Sequence, residues 1–225
     1  MGALGIYGAG GFGREILDRV REIQQVKDDY SEIYFIDDTM SPGAWVENIQ
    51  VLDFINAKEV LRGKDCKVLV GMGDAHLRSI VSKRLLENEF KLGTLICQSA
   101  IISESATIED GVIISPWVLV SHNARIGFNT AVNIQSIIGH DVTIGKNCSI
   151  SSMVNLGGGS TIGESVYIGM GALIKEKIII GDNSIIAMGA VVYNDIPSNV
   201  IAVGNPARVS RRNDSTSVFE KVKRD

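Results

Sequence analysis

The chain has 225 residues, with 22 Lys and Arg against 26 Asp and Glu, a formal net charge of −4 and no long block of one sign. Neutralising phosphates needs a basic surface, so no nucleic-acid partner is expected, and no apolar run approaches the roughly 18 residues of a membrane span. Cys66, Cys97 and Cys148 lack CxxC spacing, which argues against a zinc ribbon and a disulfide framework and fits a reducing, cytoplasmic setting.

In chain order, "LGIYGAGGFGREILDRVREI" opens with an apolar strand over Leu4–Tyr7, turns through Gly8, Gly10, Gly11 and Gly13, and continues as a helix. Glycines permit close backbone approach, and the free amides and dipole of the helix start favour an anionic or hydrogen-bond-accepting ligand. A second strand, "EIYFIDD", ends in Asp37 and Asp38, at about the distance from the glycines where a dinucleotide fold keeps its ribose-binding acid. A third covers Lys67–Gly71, followed by Gly73, Asp74 and the helical "AHLRSIVSKRLLENE"; a fourth, "GTLI", leads onward. A dinucleotide needs two mononucleotide halves, and only one fits before Ile102, so a single nucleotide is the more economical ligand. The alternative is a packing turn beside solvated aspartates.

From Ile102 to Val192 the texture changes: sixteen positions in steps of six are all aliphatic. The residue two places before each is small or modest in size, as at Ala100, Ala124 and Ser136, and the residue after is often glycine. A period of six suits neither an amphipathic helix nor a simple alternating strand. It predicts a solenoid shaped as a triangular prism, with three flat strands per 18-residue coil, an aliphatic side chain inward from each, and slightly more than five coils.

This register predicts where reactive side chains point. With Ile138 inward, His140 and Asp141 fall two and three places later, at a corner or on the outer face; His122 occupies the same corner one coil earlier. Cys148 sits at an inward position, which disfavours it as a nucleophile. Zinc catalysis on such a coil needs three histidines, and only His122 and His140 are available because His76 lies in the first half, so no metal is expected.

The glycine turn "YGAGGFGRE" and "FIDD", joined to hexads carrying "NIQSIIGHDVTIG" and closing on "VGNPAR", resemble the acetyltransferases of bacterial surface-sugar pathways over residues 3 to 208. These are the N-acetyltransferases of nucleotide-linked 4-amino sugars and the related sialic-acid O-acetyltransferases. The resemblance implies an α/β Rossmann-like nucleotide-sugar-binding domain over 1–96, a left-handed parallel β-helix of hexapeptide repeats over 97–208, and a solvated or frayed tail over 209–225. It implies that the nucleotide lies against Gly11, Phe12, Gly13, Asp37 and Asp38, with Gly73 and Asp74 nearby and Asn133 near the sugar. His140 would take the proton of the attacking amine and Asp141 would raise its basicity. Acetyl-CoA would lie between solenoids of a homotrimer, along "GMGA" and "AMGA", which supply Gly169, Met170, Gly171, Met188 and Gly189, with Ser149 also expected to bind it. Lys175, Lys177 and Arg208 flank this groove and are expected, from their charge and position, to meet its phosphates. Two departures stand out: Ser149 replaces a second histidine that contacts the thioester in many relatives, and "CQSA" replaces the usual "HPSA". The implied substrate is a nucleotide-linked 4-amino-4,6-dideoxy sugar. O-acetylation of a sialic acid or another sugar, and a non-catalytic sugar-nucleotide-binding trimer, are the alternatives.

Overall fold

The computed structural model describes residues 2–23, 29–41 and 43–214. The first half is a sheet built around β1 (Gly2–Tyr7), with β2 (Tyr30–Ile36), β3 (Trp45–Val46), β4 (Ile49–Leu52), β5 (Cys66–Val70) and β6 (Lys91–Leu92). Its strand order is β3-β4-β2-β1-β5-β6, parallel except for the β3–β4 hairpin. β1 is apolar along its whole length because both faces are covered. Ala3 and Tyr7 pack with Phe54 and Ala57 of α2 (Phe54–Val60) and Val81 and Leu85 of α3 (Ala75–Glu87). Leu4 and Ile6 face the other way, onto Ile16, Leu17 and Val20 of α1 (Gly11–Glu22). Register brings Tyr7 beside both Ile36 and Val70, so the glycine turn, Asp37 with Asp38, and the 71–74 loop emerge at one edge. That edge is where open α/β sheets bind ligands.

The hairpin and α2 were not visible in the apolar pattern. The hairpin turns through Glu47 and Asn48, both at positive φ (49° and 61°), the conformation that two-residue turns between antiparallel strands require. Glutamate is a weak signal for it. α2 is marked by its cap, Asp53, which accepts from Asn56 N–H at 2.7 Å.

The second half is the triangular coil. Three stacks of two-residue rungs form its faces, paired in parallel at intervals of one coil, as in Ile113 with Ala131, Leu119 with Ile137 and Arg125 with Thr143. The first face begins earlier than the hexads suggest: β7 (Leu95–Ile96), expected as a strand leading into the solenoid, already pairs with Ile113–Ile114 as its first rung. From Ile114 to Val192 every hexad aliphatic is buried; Ile102 and Ile108 at the open end are half-buried. Corners are made by a left-handed residue every six positions from Gly111 to Gly189, with φ between 53° and 76°. Asn and Asp occupy several of these corners because short polar side chains tolerate this region best after glycine. At the far end, part of the stretch expected as tail is ordered: Arg208–Arg212 pairs antiparallel with Val200–Val203, whose unsatisfied edge it covers. Residues 215–225 of that expected tail lie outside the described residues.

The halves share a core. Outward side chains of the first face, Leu95, Ile113 and Ala131, are buried against Ile16 and Leu69 of the sheet domain. Beside them Arg78 is completely buried without a carboxylate partner among the described residues. It donates to the carbonyls of Val70 (2.6 Å), Met72 (3.0 Å) and Asn129 (2.9 Å) and to Asn129 Oδ1 (3.0 Å), tying α3 and the 71–74 loop to a corner of the coil.

Candidate active site

His140 and Asp141 sit on the corner between the second and third faces, following Ile138. Their side chains are 68% and 53% exposed, so the imidazole stands outside the prism while Ile138 is fully buried. His140 Nδ1 lies 2.8 Å from Asp141 Oδ2. The other carboxylate oxygen, Oδ1, accepts from Asn123 Nδ2 at 2.8 Å, and Asp141 N–H donates to the His122 carbonyl at 2.9 Å. The hydrogen bond from Asn123, and after it the one from His140, holds the Asp141 carboxyl below its usual range. An ionised carboxylate only accepts, so Nδ1 carries a proton, and in the neutral form of the ring the lone pair is on Nε2. His122, one coil earlier, directs its Nδ1 to Ser105 Oγ at 2.8 Å.

The imidazole rests on Gly158, one coil further on. A Cβ there would fall 2.5 Å from Nε2 and 2.6 Å from Cε1 of His140, inside any permitted contact. Gly158→Ala is therefore expected to tilt the ring and lower turnover about ten- to a hundredfold with an almost unchanged melting temperature, since misplacing a reacting group by an ångström costs that much. Steady-state kinetics beside a thermal melt checks this. Neither Asn123 nor Gly158 stood out in the sequence, although steps of eighteen from Asp141 and His140 lead to both.

At the sheet edge the glycines separate by role. A Cβ on Gly13 would collide with the Gly8 carbonyl, so Gly13 packs the helix onto the turn, and Gly8 itself has φ of 102°. Gly10 and Gly11 are exposed, with nothing within 4 Å of an added Cβ, and Phe12 is half-buried. The start of α1 has no side-chain cap. Asp37 accepts from Ala9 N–H (2.9 Å) and from Thr39 N–H and Oγ1, bracing the turn from β2. Partial burial opposes its ionisation, but the hydrogen bonds from Thr39 and Ala9 outweigh that and hold it below the usual range. Asp38 is engaged internally: it accepts from Tyr7 Oη (2.7 Å) and Phe54 N–H (2.9 Å) and pairs with Arg84. Burial, and then Asp38 beside it, pushes the Tyr7 phenol well above its ordinary value.

Two of the expected ligand residues are buried and hydrogen-bonded within the chain. Asp74 is 1% exposed and caps α3, accepting from His76 and Leu77 N–H at 2.9 and 3.1 Å. Ser149 is equally buried because its outward position on the first face is roofed by the sheet domain; its Oγ donates to the Gly73 carbonyl at 2.7 Å. A serine there joins the domains.

Between α1 and the coil lies a cleft of about 270 Å³, lined by Phe12, Glu15, Ile16, Arg19, Leu95, Cys97, Ile113, Ser115, Pro116, Asn133, Ile134 and Ser152. Asn133 Oδ1 is buried there with no hydrogen-bond partner among the described residues. It contributes to the corner between the first and second faces, as do Met170 and Met188, which are 54% and 71% exposed, and Gly171 and Gly189. Gly169 lies on this corner too, close under the Met188 backbone. Lys175 and Lys177 lie instead on the corner of His140, directly after Ile174. Within one chain, the residues expected around acetyl-CoA thus divide between two corners, with the second face between them. The cysteines offer no nucleophile: burial pushes the thiols of Cys66 and Cys97 up to about 11 and that of Cys148 up to about 12. No group of three or more His, Cys, Asp or Glu among the described residues could hold a metal ion.

Residues 3–85 match the family described as the PglD N-terminal domain, and residues 159–194 match the bacterial transferase hexapeptide repeats. The whole chain is similar to a perosamine N-acetyltransferase from Caulobacter crescentus, solved as a variant in complex with CoA and GDP-perosamine (26% identity, TM-score 0.83, 93% of this chain and 97% of that one). It is also similar to the acetyltransferase domain of PglB from Neisseria gonorrhoeae in complex with acetyl coenzyme A (28% identity, TM-score 0.82, covering 92% and 98%). WeeI from Acinetobacter baumannii is 30% identical, with a TM-score of 0.77 and coverage of 92% and 99%. An exterior His–Asp pair on a six-residue coil, an α/β domain docked on that coil, and similarity along nearly the full length agree. The chain belongs to the acyltransferase family of hexapeptide-repeat, left-handed β-helix proteins that includes the nucleotide-linked 4-amino-sugar N-acetyltransferases and the sialic-acid O-acetyltransferases.

Proposed function

We propose that this acyltransferase moves the acetyl group of acetyl-CoA directly onto the amine of a nucleotide-linked 4-amino-4,6-dideoxy sugar, with His140 as general base, in cytoplasmic synthesis of a surface glycan. The observation that carries this reading is the solvent-facing Nε2 of His140, kept in its accepting form by the proton on Nδ1 and the ionised Asp141. An ammonium cannot attack a carbonyl, so the amine must give up a proton, and a base at hydrogen-bond reach contributes about 10²–10⁴-fold. With that first proton lost to solvent, His140 Nε2 takes a second one from the neutral amine as nitrogen bonds to the acetyl carbon and the carbon–sulfur bond breaks. Asp141 stabilises the resulting imidazolium without itself being protonated, and His140 then returns the proton to the departing CoA sulfur. Holding both substrates together contributes more still.

Exposed Gly10 and Gly11, Phe12 and the braced Asp37 support a nucleotide at the sheet edge, and the unpartnered Asn133 Oδ1 supports a hydrogen-bonding sugar in the cleft below α1. The open backbone at Gly171 and Gly189 beside two exposed methionines fits the long, partly apolar arm of acetyl-CoA. His140 lies on the other corner, so a complete site takes His140 from one copy and the cleft from the next, as in a homotrimer. The outward residues Ile101, Ile137 and Leu173 of the face between the corners are 65%, 42% and 43% exposed, an apolar strip suited to a neighbouring copy.

The test is to measure thermal stabilisation by UDP, dTDP and GDP and then offer acetyl-CoA with the matching nucleotide 4-amino sugar. A ligand that binds the folded state raises its apparent stability. The reading expects stabilisation by one nucleotide and an amide on the sugar product by mass spectrometry. An ester product would point to O-acetylation, and binding without CoA release would leave a non-catalytic trimer.

A further inference from the structure

We infer that Asn123 is a positioning residue for His140, acting through Asp141. The inference rests on His140 being the base. Asn123 occupies the same corner as Asp141 one coil earlier, both with left-handed backbone (φ of 56° and 58°). Its side-chain amide donates to Asp141 Oδ1 at 2.8 Å, while Asp141 Oδ2 meets His140 Nδ1 at 2.8 Å, so the two oxygens are divided between two partners. Asn123 is itself anchored, its N–H donating to Ser105 Oγ at 2.9 Å, and Asp141 N–H is held by the His122 carbonyl. A carboxylate that steers a histidine is commonly fixed by burial. Here the carboxylate and imidazole are both more than half exposed, and water competes for each. The amide of Asn123 supplies the fixing that burial would otherwise provide, and it is the foremost of the interactions that keep Asp141 ionised.

Asparagine is also a residue that a left-handed corner favours for conformational reasons alone, and the test separates the two roles. Asn123→Gly removes the amide but keeps the backbone conformation free of strain. Its kcat for acetyl transfer is expected to fall about tenfold, the size of one hydrogen bond to a charged group, with KM for the nucleotide sugar and the melting temperature close to wild type. Because the effect runs through Asp141, adding Asn123→Gly to Asp141→Ala is expected to cause no further loss. Asn123→Asp, which keeps the shape and replaces the donor by an acceptor, is expected to lose at least as much. Wild-type kcat in either single variant, or losses that multiply in the double variant, would overturn the inference. His140→Ala measured alongside keeps the two readings apart: an active His140→Ala enzyme removes the base, whereas an inactive one beside a fully active Asn123→Gly enzyme removes only the role given to Asn123.

Discussion

Alanine in place of His140 is expected to lower kcat for acetyl transfer at least about a hundredfold and to leave nucleotide-sugar binding near wild type. The size follows from chemistry: His140 Nδ1 is held by Asp141, which Asn123 holds in turn, so Nε2 is the ring nitrogen left to meet the amine. The selectivity follows from the division of the site: the nucleotide is expected against the sheet edge with Gly11 and Asp37, to whose hydrogen bonds His140 contributes none. Calorimetric titration with the nucleotide sugar and steady-state turnover, measured on one preparation, check both parts. A variant that keeps most of its rate would reduce His140 to a substrate contact.

The largest expected loss of stability comes from Arg78→Met. Methionine fills much of the volume but leaves the carbonyls of Val70, Met72 and Asn129 and the Asn129 side chain without their donor. Each buried acceptor left without its donor costs about 1–3 kcal/mol. Because those acceptors lie on both sides of the domain boundary, the cost is expected to appear as lost coupling: the sheet domain unfolds at lower denaturant than the coil, where the wild type shows one transition. Nucleotide affinity falls with it, since Arg78 and Ser149 together hold the 71–74 loop. Unchanged denaturation and affinity would show that the shared apolar core alone docks the domains.

The coil could be read from the sequence because each rung repeats one environment, so the same demand recurs every six residues: an aliphatic at Ile138 or Ile150, a small group at Ser136 or Ala124. That register also set His140 outside and Cys148 inside, where the structure has them. What escaped is what one chain segment owes to a distant one. Asp74 has the spacing of a ligand residue and also caps α3 through a local bond, and its burial is a matter of packing that the spacing does not show. Ser149 occupies an outward rung position, and only the docking of the sheet domain makes outward mean buried. Arg78 looks like any helix arginine until Asn129, fifty-one residues later, is brought beside it. Asn123 and Gly158 were within reach, because coil arithmetic puts them next to the His–Asp pair.

Initial rates with acetyl-CoA and the nucleotide 4-amino sugar varied together, and a parallel search for acetylated protein after exposure to acetyl-CoA alone, test most directly whether transfer occurs in one step at His140. The account predicts intersecting double-reciprocal lines and no acetyl group on the protein. Parallel lines with a trapped acetyl-enzyme would contradict it.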